Sequence, residues 1–290
     1  MSFIYLKTVK LFIMKKMIQK MIVPLFAILV LVSCSKDDTT IPSGEGKVTV
    51  TLTDAPFPFG FVSEANIGVA KVEVKTAGGE YVTLFEGSAS YNMVSLTNGV
   101  TAEVETTNIE AGTYVKARVT LDGASVELAN GMKFNLNSIA AGTTTTIAIE
   151  PALVVEEGAA SEVLFDFDID NSFNFIQSGG GHFSNWISTI SSIKNCDFDA
   201  NFRVCDLDRT GKITGTVTVD GNTEENAQVY VTVNGHKIYT HTKADGTFAF
   251  IGIAPGTYTV YVNTEDSKTA QVGSIVVTEK GTVTCSVTIS

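Results

Sequence analysis

The sequence predicts an all-β protein, because apolar and polar residues alternate through most of the chain. A period of two places one face of a strand in a core and the other face in solvent. The clearest alternating runs are 47–53, 115–121 and 163–169. The region from residue 34 to the end is long enough for two domains, and we expect the first to be antiparallel and sandwich-like.

Turn signals separate the alternating runs. Asn and Gly tolerate the positive φ of two-residue hairpin turns, so an Asn-Gly pair between two strands favours antiparallel pairing. The pairs are Asn98-Gly99, Asn130-Gly131 and Asn234-Gly235. The alternation changes parity between Val69 and Val72, which predicts a β-bulge at Ala70 or Lys71. One short helix is expected at 184–194, where Ile recurs every three residues.

The N-terminus has the layout of a signal peptide. Five lysines and no acidic residue precede the apolar run 21–32, which is shorter than the roughly 20 residues of a membrane-spanning helix. The run ends in Leu31-Val32-Ser33-Cys34, which resembles the lipobox of bacterial lipoproteins. The resemblance implies cleavage after residue 33 and lipid attachment to Cys34. The alternatives are an ordinary secretory signal with a chance Cys and an uncleaved anchor.

A polar tether, 34–45, follows the cleavage point and is too polar to pack. Lys36, Asp37 and Asp38 resemble the export signal that sends some lipoproteins to the outer face of the outer membrane. We therefore expect a lipid-anchored protein that faces the cell exterior. The alternative is a solvated tether that only avoids retention at the inner membrane.

The charge of the mature chain disfavours polyanionic partners. After residues 1–33 are removed, 15 basic and 31 acidic residues remain, a formal charge of −16. Phosphate groups would be repelled, so nucleic acid is not an expected partner.

Residues 46–208 form the predicted first domain. Its first strand ends in Leu52-Thr53-Asp54-Ala55-Pro56, and a later strand contains Leu164-Phe165-Asp166-Phe167-Asp168. With the stretches 109–114 and 124–128, these segments resemble an uncharacterised family of lipoprotein domains whose first strand reads LTDAP. The resemblance identifies the domain and implies no activity.

Residues 209–290 form the predicted second domain. The pattern G-x-I-x-G-x-V begins at Gly211, and the pattern DGxFxFxxIxPGxYxV begins at Asp245. Together they resemble the carboxypeptidase regulatory-like domain, which implies a seven-stranded prealbumin-like sandwich without catalytic groups. Relatives of that fold include starch-binding-like sandwiches, so a carbohydrate ligand is an analogy at the level of the fold.

Three cysteines remain besides Cys34. Cys196 and Cys205 are spaced for a disulfide, which an exported protein allows, and the alternative is two separate thiols. Cys285 lies in the apolar alternation of the last strand and is expected to be a buried thiol.

Three acidic residues alternate at the end of one predicted strand: Asp166, Asp168 and Asp170. They would share a face opposite the strand's aromatic residues, either solvated or bridged by Ca²⁺. The EF-hand pattern fails, because Asn171 stands at the sixth position and Gln177 at the twelfth. The solvated face is the preferred interpretation.

Two further groups are candidates for binding. Phe57, Phe59, Phe61 and Trp186 could form an aromatic platform for sugar rings or a protein, but such residues more often plug the open end of a sandwich, which is the preferred interpretation. The histidines His182, His236 and His241 belong to no catalytic motif and are expected at the surface.

The sequence thus predicts a surface lipoprotein that acts as a binding or adhesion module, with glycan or surface protein as partner and no cofactor. The alternative is a structural spacer of the cell envelope. An enzyme would need an acidic residue that is essential for turnover, with Asp166 or Asp168 as the first choice.

Overall fold

The computed structural model describes residues 44–55, 62–177 and 190–290. Strands contain 70% of them and helices 7%, which confirms the all-β prediction. The first eleven strands are β1 (Glu45–Ala55), β2 (Val62–Thr76), β3 (Tyr81–Asn92), β4 (Ala102–Glu110), β5 (Gly112–Leu128), β6 (Lys133–Asn135), β7 (Thr144–Val155), β8 (Ala160–Asp168), β9 (Phe173–Gln177), β10 (Ile193–Phe198) and β11 (Phe202–Asp206).

The remaining strands build the second domain. They are β12 (Gly211–Val219), β13 (Asn222–Thr223), β14 (Gln228–Val233), β15 (His236–His241), β16 (Thr247–Ile253), β17 (Gly256–Asn263), β18 (Thr269–Val277) and β19 (Thr282–Ile289). The helices are α1 (Asn137–Ala140) and α2 (Ile169–Ser172), and 3-10 turns occupy Met93–Ser95, Ile190–Ser192 and Leu207–Arg209.

The first domain is dominated by one nine-stranded sheet. Its order is β3-β2-β5-β7-β11-β8-β1-β4, and β6 pairs with β5. One large apolar core, which includes Val48, Leu52, Phe165 and Phe167, is covered by this sheet. Most pairs are antiparallel as predicted, but β1 runs parallel to β8 and β11 runs parallel to β7.

One of two sequence signals in this sheet, the change of parity in β2, matches the structure. The register of β2 shifts between Val69 and Lys71 against both β3 and β5, so the predicted bulge is confirmed. Asn98 and Gly99 have φ values of 57° and 79°. They lead into β4 from the preceding 3-10 turn. The hairpin predicted at this pair is wrong, because β3 and β4 are not paired and lie at opposite ends of the sheet.

β9 and β10 form a separate two-stranded antiparallel sheet in the first domain, and Phe173 pairs with Phe198 in it. The predicted helix at 184–194 is wrong at its C-terminal end. Ile190–Ser192 is a 3-10 turn and Ile193 begins β10. Residues 184–189 lie outside the described residues.

The second domain is a sandwich of two four-stranded sheets, β13-β12-β16 with β19 on β12, and β15-β14-β17-β18. Since β13 has only two residues, seven longer strands build the sandwich, as predicted. Its core contains Ile213, Val229, Phe248 and Cys285. Asn234 and Gly235, with φ values of 50° and 83°, make the tight turn between β14 and β15.

Candidate functional site

The two domains are joined by the side chain of Arg203 on β11. Its Nε and Nη2 contact Asp166 Oδ2 at 2.8 and 2.6 Å. Its Nη1 and Nη2 donate to the carbonyl oxygens of Gly252 and Ile251, in the second domain, at 2.5 and 2.8 Å. The planar guanidinium therefore ties a carboxylate of one domain to the backbone of the other.

Gly252 allows this close approach. Its φ is +65°, and a Cβ built there would lie 2.8 Å from Leu164 Cδ2 and 2.9 Å from Cys205 Sγ. Leu164, Cys205 and Ile251 form a small buried apolar cluster at the same place. We call these contacts, together with those of Arg203, the interdomain seam.

The seam corrects two predictions. Cys196 and Cys205 are buried free thiols in different clusters, so the predicted disulfide is wrong. The reason is that Cys196 points into the main core from β10, whereas Cys205 points from β11 toward the second domain. Burial raises the pKa of Cys196 to about 12 and that of Cys205 to about 11, and both are therefore neutral thiols at pH 7.

The predicted solvated face of Asp166, Asp168 and Asp170 is also wrong in its main feature. The second domain covers Asp166, which is 7% exposed and paired with Arg203. Asp168 ends β8 and caps α2 by accepting from the Asn171 backbone N–H at 3.1 Å. Asp170 lies in α2, so the strand alternation does not reach it.

Burial raises the pKa of each of these three carboxyl groups, and the pKa of Asp170 rises to about 6. Within the described part of the chain, no three carboxylate, thiol or imidazole groups are arranged to hold a metal ion. The Ca²⁺ alternative therefore has no support from these three residues alone.

Beside the seam lies a cleft of about 550 Å³ between the two domains, here called the interdomain cleft. The first domain supplies Asp166, Asn201 and residues of β7 and β8, and the second supplies the tip of the β14–β15 hairpin. Glu150 Oε2 accepts from Asn234 Nδ2 at 3.0 Å across it. The polar lining groups are Glu150, Asp166, Asp168, Asn171, Asn201, Arg203, Asn234, His236, Lys237 and Tyr239.

A row of tyrosines leads into the cleft from the outer face of the second domain. Tyr230 lies opposite Tyr239 on one side and Tyr261 on the other. The rings of Tyr230 and Tyr261 stack with centroids 4.8 Å apart, and Lys237 Nζ lies 4.3 Å from the Tyr230 ring centre. Desolvation raises the pKa of Tyr239, and the charges of Asp168 and Asp170 raise it further, so this phenol faces the acidic wall of the cleft.

The side chains that line the cleft can bind a ligand through hydrogen bonds and aromatic contacts. Carboxylates and amides on one wall face an imidazole, an ammonium group and a phenol on the other. Such a lining hydrogen-bonds the hydroxyl groups of a ligand and supplies ring edges and faces for contact. Sequence reasoning missed this tyrosine row, although Tyr230 and Tyr261 lie within predicted strands and were a signal for it.

Several predicted sites lie outside the described residues: Cys34, Lys36, Asp37, Asp38, Phe57, Phe59, Phe61, Trp186 and His182. Of the other histidines, His236 is exposed as predicted. His241 is 5% exposed, with no hydrogen-bond partner at either ring nitrogen, so the surface prediction is wrong for it. Burial lowers its pKa to about 4.

None of the helices in the described ranges is long and apolar enough to cross a membrane. No curated protein matches this chain.

Solved structures with partial similarity include a TIE protein, a pilin subunit and a fimbrial protein. The TIE protein of Bacillus anthracis is 10% identical, with 85% of this chain and 50% of that chain covered and a TM-score of 0.22. The major pilin subunit BcpA of Bacillus cereus is 9% identical, with 85% and 71% covered and a TM-score of 0.21. A fimbrial protein from Bacteroides ovatus is 9% identical, with 84% and 49% covered and a TM-score of 0.21.

This chain thus spans about half the length of the TIE protein. At such TM-scores no function follows from the similarity.

Family models match both parts of the chain. Residues 45–183 match the domain of unknown function DUF4382, and residues 212–290 match the carboxypeptidase regulatory-like domain. Strand β11 lies between the two matched segments and pairs with β7 and β8. The chain therefore contains a DUF4382 domain followed by a carboxypeptidase regulatory-like domain.

Proposed function

We propose that this protein is a lipid-anchored, surface-exposed binding or adhesion module whose ligand occupies the interdomain cleft. The observation that supports the proposal is the cleft itself, because residues of both domains line one concave site of about 550 Å³. A concave site that combines aromatic rings with a few converging polar groups is the usual form of a small-ligand site.

The lining favours a carbohydrate ligand. Asp168, Asn171 and Asn201 carry planar carboxylate and amide groups that can pair with vicinal hydroxyls, and Tyr239 presents an aromatic ring beside them. The acidic residues of the first-domain wall disfavour anionic sugars. We therefore propose a neutral glycan, either of the environment or on the surface of another cell.

Binding of soluble starch, a xylan and mucin O-glycans to the purified protein tests this proposal. Tyr239→Ala should weaken binding about tenfold, which corresponds to about 1.4 kcal/mol of lost contact. Tyr261→Ala is the matched control, because Tyr261 belongs to the same row but does not line the cleft. Equal losses for the two variants would place the ligand outside the cleft.

The aromatic platform predicted from the sequence is an alternative ligand site, and the same binding assay tests it. Phe59→Ala and Trp186→Ala should reduce binding if the ligand contacts the aromatic residues of the sequence prediction. If these two variants abolish binding and Tyr239→Ala leaves it intact, the cleft is not the ligand site.

The second candidate function is a spacer of the cell envelope, which the interdomain seam favours because it fixes one domain on the other. A spacer needs no ligand. It predicts that no glycan or host protein binds, and that deletion of the gene causes an envelope defect. Turnover lost on changing Asp166 or Asp168 would instead contradict both non-catalytic functions.

Exposure at the surface is tested by protease accessibility on intact cells. The wild type should be cleaved from outside, whereas a variant with Lys36, Asp37 and Asp38 replaced by Ala should be protected. Cys34→Ala should release the protein from the membrane fraction. Protection of the wild type would exclude adhesion and favour an envelope role.

A further inference from the structure

Strand β15 is the edge strand of one sheet of the second domain and lies beside the interdomain cleft. In the ranges that the structure describes, it pairs with β14 and with no other strand. An unpaired strand edge presents a row of backbone N–H and C=O groups, which is a template for another extended chain. The glycan proposal uses side chains of this wall and gives the backbone of β15 no role.

Hydrogen bonds to β14 decide which backbone groups of β15 are unpaired. Just beyond the end of β15, the Thr242 N–H donates to Ala227 O at 3.0 Å. In an antiparallel pair every second residue faces the partner strand, so the even-numbered residues of β15 face β14. The N–H and C=O groups of Lys237 and Tyr239 therefore point to the unpaired side.

This unpaired side forms part of the cleft wall. Residues 236–239 line the cleft without a gap. Because the side chains of a strand alternate between its two faces, four consecutive lining residues indicate that the edge of the strand borders the cleft. The backbone groups of Lys237 and Tyr239 repeat at about 6.8 Å, which is also the two-residue repeat of an extended partner chain.

The side chains of β15 do not cover this edge. Lys237 Nζ lies 4.3 Å from the centre of the Tyr230 ring on β14, and the Tyr239 ring centre lies 5.6 Å from the same ring. Both side chains are therefore directed toward β14. A lysine on an edge strand normally discourages strand pairing, but here its ammonium group is held by an aromatic ring away from the edge.

We propose that the cleft binds an O-glycosylated polypeptide of mucin type, whose sugar occupies the cleft and whose extended backbone pairs with the unpaired edge of β15. The inference rests on the proposed glycan function and names the carrier of the glycan. An O-linked sugar lies one Ser or Thr side chain away from the backbone, so one ligand can reach the lining side chains and the strand edge together. Strand addition supplies affinity through main-chain hydrogen bonds.

Binding of three synthetic ligands to the purified full chain tests the inference. They are a short peptide of Thr, Ala and Gly with one O-linked Gal-GalNAc disaccharide, the methyl glycoside of that disaccharide, and the peptide without sugar. The glycopeptide should bind about tenfold more tightly than the methyl glycoside, because it adds at least two hydrogen bonds. N-methylation of the peptide amides should remove this advantage.

Two substitutions at one position separate the backbone from the side chain. Lys237→Pro removes the N–H on the unpaired side and leaves the ladder with β14 intact, since an edge strand accepts proline where the N–H faces away from the ladder. It should remove the advantage of the glycopeptide over the methyl glycoside. Lys237→Ala is the matched control, because it removes the same side chain, keeps the N–H and should keep the advantage.

Hydrogen exchange of the wild type gives a measurement that does not depend on the folding of the proline variant. In the free protein the amides of Lys237 and Tyr239 should exchange quickly, and the amide of Ile238, which faces β14, should exchange slowly. The glycopeptide should slow exchange at Lys237 and Tyr239 about tenfold. The methyl glycoside should leave it unchanged.

Equal affinities for the glycopeptide and the methyl glycoside would overturn the inference and leave the glycan proposal standing. Equal affinities for the peptide with and without sugar would overturn it as well, since the sugar would contribute nothing. Unchanged exchange at Lys237 and Tyr239 in the glycopeptide complex would place the peptide elsewhere. If none of the three ligands binds, the inference is wrong, and the starch and xylan assays then decide the glycan proposal by themselves.

Discussion

The two domains share a plan of seven strands, to which the first domain adds β6, β9, β10 and β11 and the second adds the short β13. In the first domain, β3-β2-β5-β7 is followed across the sheet by β8-β1-β4, and in the second domain β15-β14-β17-β18 faces β19-β12-β16. In both, the opening strand runs parallel to the last strand of this plan, β1 with β8 and β12 with β19. Strand β11 has no counterpart in the second domain.

Equivalent strands of the two domains also carry the same residue types at equivalent positions. Tyr114 Oη donates to Glu110 O at 2.8 Å, and Tyr258 Oη donates to Ala254 O at 2.7 Å. Each Tyr follows a Gly-Thr pair in IEAGTY and IAPGTY. Gly46 and Gly211 lie in the first two positions of the opening strands, and at each a Cβ would clash with a backbone oxygen, that of Glu156 or of Thr278. The shared features thus hold each sandwich together.

The difference between the domains creates the functional surfaces. In the second domain two separate sheets face each other, whereas β11 fills the gap between β7 and β8 and makes one sheet of nine strands. The added strand carries Arg203 and Cys205, which make the seam. An added strand on a common plan therefore carries the contacts of the seam, which act beside the Glu150–Asn234 hydrogen bond at the cleft.

The largest expected effect is that of Arg203→Met. It leaves Asp166 buried without its positive partner, so unfolding should become easier by about 3–5 kcal/mol. Loss of the two bonds to the second domain should also split one cooperative transition into two. Calorimetry measures both, with Arg209→Met as control because its partner Glu279 is 4.0 Å away and exposed. A single unshifted transition would mean that β11 does not couple the domains.

Acidification should change the stabilities of the two domains in opposite directions. The pKa of Asp170 is raised to about 6, so the folded first domain takes up a proton before the unfolded chain does, and its stability rises as the pH falls from 6 toward 4. The pKa of His241 is lowered to about 4, so the unfolded chain binds that proton first. The second domain should lose about 2–3 kcal/mol as the pH falls from 6.5 to 4.

Hydrogen exchange followed separately in β5 and in β15 measures this contrast. His241→Leu should abolish the acid sensitivity of the second domain and leave that of the first domain unchanged. Parallel loss of protection in both domains would show that another group controls the acid response.

Gly252→Ala should destabilise the protein by about 2 kcal/mol, because a Cβ is strained at positive φ and would also meet Leu164 and Cys205. Gly235→Ala is the matched control. Its φ is +83°, but nothing lies within 4 Å of the added Cβ, so only the backbone strain remains. Urea unfolding midpoints should therefore separate the two variants, and equal midpoints would show that the seam is loosely packed.

The smallest effect is expected for the two corner tyrosines. Tyr114→Phe and Tyr258→Phe each remove one hydrogen bond to a carbonyl four residues back, at a cost of about 1 kcal/mol. Equal losses in urea titrations would support the common plan. A loss confined to one variant would show that the corner stabilises only that domain.

Sequence reasoning predicted what depends on near neighbours along the chain. Period-two alternation gave the strands, the parity change gave the bulge near Lys71, and Asn234-Gly235 gave a hairpin. Even the repeated GTY segments were visible in the sequence, although the common plan was not predicted from them.

The missed features depend on partners that are distant in sequence. Asp166 was expected in solvent, but the second domain covers it, and only the fold places Gly252 over Leu164. The disulfide failed for the same reason, since a spacing of nine residues does not show that two strands point to different cores. Asp54 belonged to a recognised motif, yet its buried carboxylate needed the structure to be seen.

The parallel pairing of β1 with β8 affects how the first domain resists a pulling force. β1 is hydrogen-bonded on both sides, to β4 and to β8, over most of its length. If the chain is anchored at Cys34 as proposed, a pull on a bound ligand loads β1 along its own axis. The two ladders would then be sheared as a whole and would not open one bond at a time. Such a tether would release its ligand under tension before the first domain unravels.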